Sequence, residues 1–163
     1  MKRTYVILTA ILLVLIFNVS DSFAQLPGIA FGARVGRNWK TKDQYAGGQV
    51  ELGISSFTLA PNVEYYLSPK NGLKKRLDIN LDGQYTLFSL VVAKIFVGAG
   101  YVISNEKADL AGAKSTSVKG FDVQGGAKMN LLFLHPFGLI KFEKLKGESK
   151  GSILLSIGAN MGF

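Results

Sequence analysis

Apolar and polar side chains alternate with a period of two along most of this chain. The clearest stretch is 77–87, where Leu77, Ile79, Leu81, Gly83, Tyr85 and Leu87 alternate with Asp78, Asn80, Asp82, Gln84 and Thr86. Successive side chains of a strand face opposite sides, so this pattern predicts a strand with one apolar and one polar face. A helix does not fit it. Further segments follow the same rule at 29–39, 48–55, 58–67, 91–104, 119–130 and 152–163. In the last of them Ile153, Leu155, Ile157, Ala159, Met161 and Phe163 face away from Ser152, Leu154, Ser156, Gly158, Asn160 and Gly162. One more strand is less regular. An apolar run at 131–134 and the pair His135-Pro136 precede Ile140 and Phe142, which alternate with Lys141 and Glu143. A turn is expected within 131–136, with His135 as a turn residue. Pro61 is expected to weaken its strand locally, because it has no amide hydrogen to donate.

Eight such strands point to a closed barrel. An apolar strand face ending on an aromatic would leave a soluble sheet with a sticky edge, which natural sheets avoid. In a membrane barrel the apolar faces meet lipid and both edges are paired. About 9–11 tilted residues cross a bilayer, and membrane barrels of this kind carry an even number of strands. The connections also sort into two kinds. Those at 40–47, 68–76, 105–118 and 144–151 are long, polar and charged, whereas those near 55–57, 88–90 and 131–136 are short and hold no Lys, Arg, Asp or Glu. Long outer loops and tight periplasmic turns are the asymmetry of outer-membrane barrels. The expected fold is therefore all-β, an eight-stranded antiparallel up-and-down transmembrane barrel.

The N-terminus predicts export. Lys2 and Arg3 precede an uncharged run at 5–17, and Ser22-Phe23-Ala24 places small residues where a signal peptidase reads. This is the layout of a signal peptide over 1–24, a helix removed to leave a barrel domain at 25–163. The run is too short for a membrane span, which takes about 20 apolar residues. With no cysteine in the chain, neither a disulfide nor an acyl-anchored lipoprotein is expected.

Charge changes the picture only once it is placed. The formal net charge is +8. On the polar strand faces lie Arg34, Lys94, Lys128 and Lys141 with Glu51, Glu64, Asp78, Asp82, Asp122 and Glu143. An eight-stranded barrel has an interior that side chains just fill, so these ten are expected to pair as a buried ion network. Positive charge is left for the loops. Lys70, Lys74, Lys75 and Arg76 form a basic patch on the second long connection, and Lys144, Lys146 and Lys150 lie on the fourth. Above an outer leaflet these cations would face lipopolysaccharide phosphates. Trp39, Tyr45, Tyr65, Tyr66, Tyr85, Tyr101, Phe57, Phe88 and Phe163 lie near strand ends and fit an interfacial girdle.

Catalytic and cofactor chemistry finds no foothold. His135 is the single histidine, and neither a zinc site nor a hydrolytic triad can be assembled around it. Gly98, Gly100, Gly125 and Gly126 look like fragments of a nucleotide loop, but no helix follows them. They read as strand glycines that relieve crowding in a narrow barrel.

The opening strand GIAFGARVGRNW, the stretch FDVQGGAKMNLLF and the ending SIGANMGF, together with the signal segment, resemble the bacterial outer-membrane protein β-barrel domain family. The likeness is closest to small Bacteroidetes-type barrels, and the transmembrane part of OmpA and OmpX is a more distant analogy. The resemblance implies a non-enzymatic protein of the bacterial outer membrane, without cofactors, acting structurally or through its loops by adhesion, lipopolysaccharide or ligand contact. Outer-membrane lipid is the expected partner, nucleic acid is the weaker alternative for a secreted barrel, and the chain is expected to be a monomer. The resemblance also implies that Phe163, with Met161 beside it on the same face, is an assembly signal read by the barrel-assembly machinery. A lipid-modifying barrel enzyme, a narrow channel and a soluble lipocalin-like barrel are the alternative readings.

Overall fold

The structure, a computed structural model, describes residues 28–67, 69, 73–90, 92–108 and 114–162. The expected signal peptide at 1–24, Lys70 and Phe163 lie outside the described residues. Eight strands follow one another: β1 (Gly28–Asn38), β2 (Gln44–Ile54), β3 (Phe57–Tyr66), β4 (Leu73–Ser89), β5 (Ala93–Ala108), β6 (Ser115–Met129), β7 (Leu134–Leu145) and β8 (Ser152–Gly162). Each pairs antiparallel with its neighbour in sequence, and β8 pairs back to β1 to close the barrel. Ala33 of β1 stands opposite Gly48 of β2 on one side and Ala159 of β8 on the other. Closure leaves no unpaired sheet edge around the wall, as a structure surrounded by hydrocarbon requires.

The two faces separate as the alternation predicts. Phe31, Val35, Ile79, Leu81, Val123 and Ile157 are exposed on the outside. Arg34, Glu64, Asp78, Asp82, Asp122, Lys141 and Glu143 are buried inside. This is the inverse of a soluble ligand-binding barrel, whose cavity is apolar and whose outside is polar. Pro61 acts as expected on one side. The β2–β3 register runs to Gln49 opposite Asn62 and resumes at Leu52 opposite Leu59, whereas on the β4 side Pro61 stands opposite Leu81.

Several boundaries differ from the sequence reading. β4, β5 and β6 have 17, 16 and 15 residues against 10 to 12 for the others. They absorb much of the expected loops at 68–76 and 105–118, so that Lys75 pairs with Lys107 and Arg76 with Glu106 in the β4–β5 ladder. Beyond the apolar belt the outer face carries Lys75 and Lys107, and the sequence there loses its apolar alternation while the hydrogen-bonded ladder continues. All four connections at that end are only five or six residues long.

The expected turn lies at Leu131–Leu134, with Leu132 in the left-handed region at φ 52°. His135 and Pro136 already belong to β7. His135 is therefore a strand residue rather than a turn residue. Its ring nitrogen Nε2 lies 3.2 Å from the Leu132 carbonyl and, protonated there, donates to it, tying the strained turn to the strand behind it.

Candidate functional site

The barrel interior is filled in layers. Toward the long-connection end, Tyr45 of β2 and Tyr66 of β3 pack at 5.3 Å between ring centroids and enclose Leu154 of β8. The Tyr45 hydroxyl bonds to Ser156 over Gly36 of the intervening β1. Both tyrosines are fully buried, so they line the interior and are not part of the interfacial girdle, to which Trp39, Phe57, Tyr65, Phe88 and Tyr101 present exposed rings. Strand parity decides this: Tyr66 shares a face with Glu64 and Asn62, and Tyr45 with Gln49 and Glu51.

Arg76 of β4 belongs to this layer. It was expected on a loop, in the basic patch, yet it is buried, sharing the face of Asp78. Its guanidinium lies 4.4 Å from the Tyr66 ring centroid and pairs at 2.7 Å with both Asp78 and Glu143, with Glu106 at 3.8 Å. Two donors reach Asp78 together, Nε at 3.0 Å and Nη2 at 2.7 Å, the bidentate fork that suits a guanidinium.

The middle layer gathers around Lys141 of β7, whose side chain is inaccessible to solvent. Its Nζ lies 3.8 Å from Glu64, 3.6 Å from Asp82 and 3.8 Å from Asp122, and Arg34 meets the same Glu64 at 3.4 Å. These separations exceed hydrogen-bond lengths, so the attraction is coulombic, in surroundings that screen it weakly. Five of the ten expected ion-network residues meet here. Asn62 donates to Asp82 at 2.8 Å and Asn80 donates to Asn62 at 2.7 Å, linking β3 and β4. Gly100 leaves the room: a Cβ there would lie 2.2 Å from Asp82 Oδ1 and 2.8 Å from Asp122 Oδ2.

Toward the short-turn end, Phe96, Phe137 and Leu139 form a second apolar layer. Beyond it the barrel opens into a vestibule of about 570 Å³, lined among others by Glu51, Lys94, Lys128, Thr86 and His135. Lys128 pairs with Glu51, and Gln49 donates to Glu51 and Asn160. Lys94 differs from the expectation. It lines the mouth of the vestibule and makes no ion pair among the described residues, because at the second position of β5 it is within reach of water.

The exposed cations gather at the opposite end. Arg37, Lys40, Lys42 and Lys150 lie where β1, β2 and β8 meet their connections, with Lys144 and Lys146 beside them. Lys75, Lys107, Lys114 and Lys119 occupy the β4–β6 extension. Lys42 stacks over Trp39 at 4.4 Å, and Lys40 donates to the Lys150 carbonyl at 3.0 Å. Arg37, Lys40 and Lys42 were not singled out in the sequence; their closeness in the chain to Trp39 at the end of the first strand was the available signal. Met161 is exposed on the outer wall. Among the described residues no cluster of His, Asp or Glu is arranged to hold a metal ion.

No protein-family model and no curated protein matches the chain. Solved structures do. The N-terminal β-barrel domain of OprF from Pseudomonas aeruginosa is similar at 16% identity and a TM-score of 0.67, over 84% of this chain and 98% of that one. Neisserial surface protein A is similar at 16% identity and a TM-score of 0.65, over 83% and 96%. A de novo designed transmembrane β-barrel is similar at 10% identity and a TM-score of 0.59, over 86% and 98%. The chain has the fold of small transmembrane β-barrels, including those of bacterial outer membranes.

Proposed function

We propose that this chain is a non-enzymatic protein of the bacterial outer membrane that acts structurally and through its basic long-connection end. The observation that carries the proposal is the stratified interior. Two apolar layers enclose a buried ion cluster around Lys141, so contacts with partners fall to the outer surface and the rims. Porins that leave an aqueous channel need about 16 strands, and this barrel has eight. Fold similarity supports the location, as does an apolar outer belt with exposed aromatics.

At the long-connection end, ten cations are exposed among the described residues, while Glu106 and Glu148 are only half-exposed. Phosphates of lipopolysaccharide are the anions an outer leaflet would present to them. Because Arg76 holds the interior together, the test spares it. Lipopolysaccharide is expected to raise the unfolding midpoint of the refolded barrel, and Lys40, Lys42 and Lys150→Gln together are expected to remove most of that rise. An equal rise in the triple variant would sink the reading.

The barrel-assembly machinery is the proposed partner during biogenesis, through Phe163 and Met161. Phe163→Asp is expected to reduce heat-modifiable barrel in the outer-membrane fraction several-fold, while protein refolded in detergent unfolds at the wild-type midpoint. Normal insertion in cells would count against it.

A further inference from the structure

One feature of the outer wall is not explained by the interior. A shallow groove of about 800 Å³ crosses it along a row of cross-strand neighbours. Gln44 stands opposite Arg37, Arg37 opposite Leu155, Leu155 opposite Ile140, and Ile140 opposite Gly125. Gly138 widens the floor at the far end. Most inward-facing glycines are required by close neighbours, but these two face outward and are not. A Cβ on Gly125 would meet nothing nearer than 3.8 Å, and one on Gly138 nothing nearer than 3.9 Å. Neither has a left-handed backbone. Glycine weakens a strand relative to alanine, so packing gives no reason for it at either position. What the two glycines do create is depth beside the exposed Ile140 and Ile157 and the half-exposed Leu155.

The other end of the groove is cationic. Arg37 is exposed on the lipid-facing side of β1, one residue before the strand ends, with Lys40, Lys42 and Lys150 just beyond it. We propose that the groove holds an acyl chain of a phosphorylated outer-leaflet glycolipid, whose phosphate rests on Arg37. The inference depends on the reading that the basic end faces the outer leaflet, and it adds a defined place and orientation for the lipid. A second copy of the chain fits less well, since two such grooves packed together would bring like charges toward one another.

Trp39 is the single tryptophan of the chain, two residues beyond Arg37 on the same side of β1. It reports on this site. The wild-type barrel, folded in phosphatidylcholine vesicles with brominated chains, has its Trp39 fluorescence quenched. Adding lipid A is expected to relieve the quenching roughly fivefold more than its mole fraction predicts, about the gain from one cation near an anionic surface. Arg37→Gln is expected to return the relief to the proportional value. So is the double variant Gly125→Leu with Gly138→Leu, which fills the floor. Heat-modifiable migration of each variant verifies that it is folded.

Full relief in the filled-groove variant, lost only with Lys40, Lys42 and Lys150→Gln, overturns the groove while the rim reading stands. Proportional relief in the wild type overturns the groove and weakens the rim reading with it. Relief that grows with protein concentration in the absence of lipid A would overturn the proposal in favour of a second copy.

Discussion

Replacing Lys141 by methionine is expected to destabilise the refolded barrel by about 3–5 kcal/mol, measured by urea unfolding in lipid or detergent. The side chain is wholly buried and is the cation that Glu64, Asp82 and Asp122 share. Methionine keeps most of its volume but leaves three carboxylates with Arg34 as the nearest remaining cation, which reaches only Glu64 among them. The cost is therefore uncompensated negative charge rather than a cavity. Adding Asp122→Asn to Lys141→Met removes one of those charges and is expected to restore part of the loss, a non-additivity that neighbours in one network show. Lys75→Ala, at an exposed position on the β4 extension, is expected to change stability by less than about 0.5 kcal/mol. Wild-type stability in the Lys141→Met barrel would overturn this account of the interior.

The membrane-spanning part of the fold was legible because lipid outside and side chains inside impose opposite demands on alternate residues. Asp78, Asn80 and Asp82 in β4 and Glu64 in β3 were placed correctly by parity alone. Legibility failed where that contrast fades. Arg76 follows two lysines and reads with them as a loop residue, although it has the parity of Asp78, two positions on. Counting the strand upward past the last apolar residue would have placed it inside. By residue type Tyr45 and Tyr66 read as interfacial aromatics. The barrel uses them where their rings close the bore, and Gly36 makes that possible, since a Cβ there would lie 2.3 Å from the Tyr45 ring. The position of His135 was hidden for another reason. The turn before it is apolar and carries Leu132 at positive φ instead of glycine, so turn chemistry gave no signal. The groove could not be read from sequence at all, because it depends on which residues five separate strands bring into one row.

The adjacent glycines Gly125 and Gly126 are expected to respond oppositely to the same substitution. Gly126 faces inward. A Cβ there would lie 2.4 Å from the Gly138 carbonyl oxygen, 2.8 Å from the Phe96 ring and 2.9 Å from Leu139 Cβ. The first of these is backbone held in the β6–β7 ladder, where Gly126 stands opposite Leu139 and Ala127 opposite Gly138, so it cannot move aside cheaply. Gly126→Val is thus expected to cost about 3 kcal/mol or more, the upper end for overpacking, and to abolish heat-modifiable migration if the barrel no longer closes. Gly125→Val places its side chain on the outer wall in open space. It is expected to fold with stability equal to or slightly above wild type, because valine suits a strand better than glycine does. Together the pair tests the inside–outside assignment of β6, since a shift of one residue would exchange the two outcomes. If Gly125→Val proves the damaging change, the register of β6, and with it the grouping of Asp122 with Lys141, would be wrong.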